Sequence, residues 1–224
     1  MGDAPALRFD GPEHAALRLV LTHGAGAPVD DAFLETITRD LAARGVRVAR
    51  FEFPYMARRR LELEQSESGL QARGERREPA RRPPDRQPVL LDTWRAAIAA
   101  LGGGAHLVIG GKSMGGRMAS LVADEVGARG LVCLGYPFHP PGKPEPLRTA
   151  HLERLRTPAL IVQGTRDPFG GRDEVAGYRL SPAIRIVWIE DGDHSFAPRR
   201  GSGATRAQNL AAAAEEIARF ARAL

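Results

Sequence analysis

His106-Leu107-Val108-Ile109-Gly110-Gly111-Lys112-Ser113-Met114-Gly115-Gly116-Arg117 is the stretch on which the fold turns. A short apolar run with strand character, His106 to Gly110, meets a serine flanked by glycines, and helical spacing follows from Met114 to Val126. With 25 glycines in 224 residues, a G-x-S-x-G pentapeptide has little weight alone. Its strand-turn-helix setting gives it weight, because a serine on so tight a turn adopts a strained backbone and needs side-chain-free neighbours. Ser113 is therefore the candidate nucleophile, presented at the carboxyl edge of a sheet, where open α/β sheets bind ligands.

Gly111-Lys112-Ser113 is also the G-K-S of a nucleotide-binding P-loop. That motif needs a glycine five residues before Gly111, and His106 stands there, where the strand begins. A strand running up to the GKS leaves no free amides to wrap phosphates.

Outward from this turn, strands alternate with helices, the pattern of a mostly parallel sheet with helices on both faces. Leu17–Thr22 and Val46–Phe51 read as strands on either side of a helix from Asp31 to Arg44 that stops at Gly45. Leu131–Leu134, Ala159–Gln163 and Ile184–Ile189 supply three more strands, Asp92–Leu101 a helix, and Thr205 to Leu224 a last helix. Between Met56 and Pro88 the pattern dissolves into Arg, Glu, Gln, Ser and Pro, which reads as a charged, mobile insertion into a single domain spanning 1–224.

A serine nucleophile needs a general base, and the base needs a buried acid to fix its tautomer. On a strand-turn-helix serine the chain order is Ser, acid, His. His151 and His194 both follow Ser113; His151 precedes the next strand, whereas His194, in Asp191-Gly192-Asp193-His194-Ser195-Phe196, follows the last one and is the expected base. Asp167, in Gln163-Gly164-Thr165-Arg166-Asp167-Pro168, follows the penultimate strand and is the expected acid. Asp173 and Glu174 are alternatives from the same loop, and Asp191 and Asp193 read as turn-formers. Two donors must hold the oxyanion: Met114, directly after the nucleophile, and Ala25 or Gly26 in the loop His23-Gly24-Ala25-Gly26-Ala27.

Composition narrows the function classes. No apolar run approaches the roughly eighteen residues of a membrane span. Met1-Gly2-Asp3-Ala4-Pro5-Ala6 carries no signal-peptide pattern, so a cytoplasmic protein is expected. The formal charge of +5 comes largely from Arg58 to Arg86, where Glu62, Glu64, Glu67, Glu75 and Glu78 are interleaved, and no nucleic-acid partner is expected. Cys133, the only cysteine, sits in an apolar strand as core. No histidine pair has ligand spacing, so neither metal nor cofactor is expected.

Taken together, THGAGA (22–27), FEFPY (51–55), GGKSMGGR (110–117), GYPFHPPGKPE (135–145), QGTRDPFG (163–170) and GDHSF (192–196) resemble a branch of the α/β-hydrolase superfamily. It is the bacterial "α/β family hydrolase" group, similar to dienelactone hydrolases and to the hydrolase-like domain of an animal histone-acetyltransferase complex subunit. The resemblance implies an α/β-hydrolase fold and the triad Ser113, Asp167 and His194. The expected activity is a carboxylesterase or thioesterase forming an acyl-enzyme on small ester or thioester substrates; the alternative is a non-catalytic scaffold binding a partner through Arg58 to Arg86. Tyr136 to Pro144 leads back quickly toward the next strand, so no large cap domain is expected. Tyr136, Phe138 and Phe196 are expected to form an apolar pocket wall, with Lys143 and Arg117 favouring an anionic group.

Overall fold

The computed structural model describes residues 4–70, 83–143 and 145–224. Among them seven strands form one sheet: β1 (Leu7–Asp10), β2 (Arg18–Thr22), β3 (Arg47–Phe51), β4 (Leu107–Lys112), β5 (Gly130–Leu134), β6 (Ala159–Gly164) and β7 (Ile184–Ile189). Their order is β1-β3-β2-β4-β5-β6-β7; β1 is antiparallel to β3 and every other pair is parallel. The helices are α1 (Ala32–Ala43), α2 (Pro54–Leu70), α3 (Gln87–Ala100), α4 (Met114–Val122), the short α5 (Arg172–Val175) and α6 (Arg206–Ala223).

The central strands are apolar on both faces, and alternate residues enter different cores. Leu19, Leu21, Val108, Val132, Leu160 and Val162 pack with Ile37 and Leu41 of α1 and with Leu210 and Ile217 of α6. Val20, Ile109, Leu131 and Ile161 pack on the opposite face with Trp94 and Ile98 of α3 and Met118 and Val122 of α4. Complete burial of such a side chain contributes roughly 2 kcal/mol, so these two layers hold the central strands in register and fix where their carboxyl ends emerge.

Three differences from the sequence expectation matter. β1 is an added edge strand, pinned where Arg50 reaches Asp10 Oδ2 with Nε (3.1 Å) and Nη2 (2.9 Å). The segment from Met56, irregular by its sequence pattern, is helical to Leu70 as α2; residues 71–82 of the expected insertion lie outside the described residues. Arg, Leu, Glu and Gln are strong helix formers without any apolar period, and α2 is docked by polar contacts: Arg60 Nη2 donates to Glu52 Oε1 (2.6 Å) and Asp30 Oδ1 (2.8 Å), and Tyr55 N–H donates to Asp85 (2.8 Å). α3 begins at Gln87, ahead of the expected Asp92, with Pro88 in its first turn, where a missing N–H is tolerated.

Between β5 and β6 the described residues form loops and one 3-10 turn, Leu152–Arg154. The expected absence of a large cap between these strands agrees with that arrangement.

Candidate active site

Ser113 separates β4 from α4 with φ 49° and ψ −115°. A non-glycine residue at such angles is strained by about 1–3 kcal/mol and persists only where its surroundings enforce it. Here Ser113 N–H donates to Leu134 O (2.9 Å), and Ser113 O accepts from Arg117 N–H (3.0 Å). The flanking glycines are required by approach: a Cβ on Gly111 would lie 2.4 Å from Thr22 O, and one on Gly115 would lie 2.6 Å from His23 O.

The loops after β4, β6 and β7 bring Ser113, Asp167 and His194 together. His194 Nε2 lies 3.0 Å from Ser113 Oγ, and Nδ1 lies 2.8 Å from Asp167 Oδ2 and 3.0 Å from Oδ1. The Asp167 side chain is wholly buried, whereas that of His194 is 22% exposed. That gradient leaves one end of the chain open and keeps the other in a low dielectric. Phe169 N–H donates to Asp167 Oδ1 (2.9 Å), and the Phe169 ring tilts against the imidazole, 4.4 Å between centroids. A proton on Nδ1, held by Asp167, leaves Nε2 free to accept from the serine hydroxyl.

The other acids and histidines do different work. Asp193 Oδ1 accepts from Ser195 and Ala197 N–H (2.7 and 2.9 Å), and Asp191 pairs with Arg166 and Arg199 (2.8 and 2.6 Å), so both shape the His194 loop. Asp173 and Glu174 lie on α5. His151 Nε2 lies 2.8 Å from Ser120 Oγ, but Ser120 donates its hydroxyl proton to Arg117 O (2.7 Å). That bond makes Ser120 Oγ the acceptor and His151 Nε2 the donor, the opposite polarity from a base on a nucleophile. Burial, helped by the charge of Arg117, pushes His151 down to about 4.

The loop after β2 passes directly over the serine: a Cβ on Gly24 would lie 3.5 Å from Ser113 Cβ. Its carbonyls are held from behind. His23 Nε2 accepts from Phe53 N–H (3.0 Å), so Nδ1 carries the proton and donates to Gly24 O (2.7 Å). Burial lowers the His23 pKa, which keeps the ring in this neutral form. Tyr55 OH donates to Ala25 O (3.0 Å). Because a trans peptide sets C=O and N–H antiparallel, fixing these two carbonyls also fixes the directions of the Ala25 and Gly26 N–H groups. Met114 opens α4, where first-turn N–H groups have no partner within the helix. Neither His23 nor Tyr55 stands out in the sequence as a supporting residue; the His23-Gly24 pair is the only local signal.

The expected apolar wall is corrected. Tyr136, Phe138 and Phe196 are each 0% exposed. Tyr136 OH is occupied by Arg148 O (2.9 Å), Phe138 packs between Tyr136 and Tyr178, and Phe196 packs on Phe33. These rings follow strand ends and are drawn into the cores that flank the sheet. Lys143 is exposed on the loop after β5, and Arg117 is half-buried one helical turn beyond Ser113.

A cleft of about 210 Å³ opens beside Gly26, lined also by Pro28, Met56, Arg59, Arg60 and Leu63. A larger one of about 310 Å³ includes Arg18 and Leu107, the first residues of β2 and β4, and so lies at the opposite edge of the sheet from Ser113. Among the described residues no group of three His, Cys, Asp or Glu side chains could hold a metal ion, and no helix is long and apolar enough to cross a membrane.

Residues 15–222 match the family model described as "Alpha/beta hydrolase domain". The chain belongs to this family. Solved structures share its fold at low identity. An α/β serine hydrolase without lid from Xanthomonas campestris is similar at 16% identity and TM-score 0.63, over 97% of this chain and 88% of that one. Dienelactone hydrolase from Anabaena variabilis is similar at 21% and 0.64, over 96% and 89%. Est1E from Butyrivibrio proteoclasticus, solved with ferulic acid bound, is similar at 14% and 0.67, over 98% and 96%. What these structures share with the chain is the fold.

Proposed function

We propose that this protein hydrolyses ester or thioester bonds through an acyl-enzyme on Ser113. The observation that carries the reading is the unbroken hydrogen-bond chain from Asp167 through His194 to Ser113 Oγ. Oγ attacks the substrate carbonyl carbon as His194 Nε2 takes the hydroxyl proton, and Asp167 stabilises the imidazolium at Nδ1. The carbonyl oxygen becomes an oxyanion that accepts from the N–H of Met114 and of Ala25 or Gly26. Collapse expels the alkoxide or thiolate, which takes the proton from Nε2, and water repeats the sequence to free the acid and Ser113.

The cleft beside Gly26 supports a small or medium acyl or alcohol group as occupant, with Pro28, Met56 and Leu63 facing its apolar part. Lys143 and Arg117 stand on the same side of the sheet edge as Ser113 and favour substrates with an anionic group. Rapid mixing with p-nitrophenyl acetate tests the reading. One equivalent of p-nitrophenol released in a burst by the wild type, and none by Ser113→Ala, is expected; an equal burst from both contradicts it.

A further inference from the structure

Lys112 is the residue of the serine turn that the chemistry above leaves unused. It ends β4, is only 9% exposed, and its Nζ donates to the main-chain carbonyl of His194. Nζ also stands 5.2 Å from the centroid of the Phe33 ring. Among the described residues Lys112 forms no ion pair; the charged groups that face it are Asp167 and Asp193 on the loops after β6 and β7, Asp31 at the start of α1, and Arg206 at the start of α6.

The room for this contact is made by Gly135, whose φ is +64°. A Cβ there would lie 2.9 Å from Lys112 Nζ, 3.1 Å from His194 O and 3.2 Å from His194 Nδ1. Burying an ammonium is costly, and an aliphatic side chain of equal length avoids that penalty. This ammonium is instead aimed at the one residue that carries the imidazole. Burial pushes it down to about 8, opposed by Asp167, Asp193 and Asp31, so it stays largely charged at neutral pH.

We propose that Lys112 is a positioning residue for the base. Its ammonium fixes the main chain at His194 so that Nδ1 stays on Asp167 and Nε2 on Ser113. The catalytic half of the proposal rests on the hydrolase reading; the coupling between Lys112 and His194 does not.

The test follows the His194 imidazole by NMR in ¹⁵N-histidine-labelled wild type, Lys112→Met and Lys112→Gln, alongside ester kcat/KM against pH. In Lys112→Met the His194 ring resonances lose the pattern of an imidazole held between Asp167 and Ser113, and kcat falls by about tenfold with KM little changed. Lys112→Gln retains a donor to the His194 carbonyl, so it recovers both the ring resonances and kcat. In the unaltered protein the His194 resonances carry a second inflection near pH 8 as Lys112 loses its proton, a readout that needs no variant to fold. His194 ring resonances and kcat that coincide in all folded forms, with no second inflection in the wild type, overturn the proposal. Displaced His194 resonances in Lys112→Met of a protein without esterase activity overturn the hydrolase reading and leave the Lys112–His194 coupling standing.

Discussion

Tyr55, in the first turn of α2, donates its hydroxyl to Ala25 O at 3.0 Å, so the helix absent from the sequence pattern holds the loop that crosses Ser113. Tyr55→Phe removes this one bond and keeps the buried ring. The expected result is a fall in kcat of about tenfold with KM little changed, because a loosened oxyanion donor weakens transition-state binding more than ground-state binding. Steady-state kinetics on an activated ester check this, and a change confined to KM runs against it.

Asp167→Asn keeps the size of the side chain and the acceptor for Phe169 N–H. It removes the charge that stabilises the imidazolium and lets the amide select the wrong tautomer of His194. A loss in kcat of about 10³–10⁴-fold with an unchanged melting temperature is expected. Asp173→Asn and Glu174→Gln, on α5, should leave kcat within about twofold.

Acid stability follows from His23 and His151. Both are lowered in the folded protein by burial, so below the unfolded value of about 6.5 the unfolded chain binds more protons. Their contribution is complete above that value and is lost as pH falls through the folded value, which for His151 is about 4. Urea midpoints should therefore decline from about pH 6.5 to pH 4, with His151 contributing of order 2 kcal/mol. His151→Gln should flatten this dependence; an identical slope in the variant counts against the assignment.

The start of α6 is closed by a reciprocal cap in which Thr205 Oγ1 accepts from Gln208 N–H (3.2 Å) and Gln208 Oε1 accepts from Thr205 N–H (2.8 Å). Thr205→Ala should cost about 1 kcal/mol in chemical denaturation, read as a lower urea midpoint.

Ser113, Asp167 and His194 are legible in the sequence because each sits at the end of an apolar run, and a parallel sheet brings successive strand ends to one edge. Their meeting at hydrogen-bond distance is what the structure adds. β1 is not legible because Leu7-Arg8-Phe9-Asp10 alternates over only four residues, too short a run to stand out, and its place depends on pairing with β3 and on Arg50, far along the chain. α2 escapes the pattern because its Arg- and Glu-rich sequence carries no apolar period, while Arg60 and the Tyr55 N–H are held by Asp30, Glu52 and Asp85. Tyr136, Phe138 and Phe196 are misplaced for the converse reason, since nearness to the site along the chain suggests exposure to a substrate where the folded rings are buried. The Lys112–His194 contact spans 82 residues, and no local pattern encodes it.

The central claim, that Ser113 is an activated nucleophile, is tested most directly by a fluorophosphonate probe with the modified peptide mapped by mass spectrometry. Stoichiometric labelling of Ser113 in the wild type is predicted, with the label lost in Ser113→Ala and slowed by orders of magnitude in His194→Ala. Folded wild-type protein that takes no label at Ser113, or takes it equally fast without His194, contradicts the account.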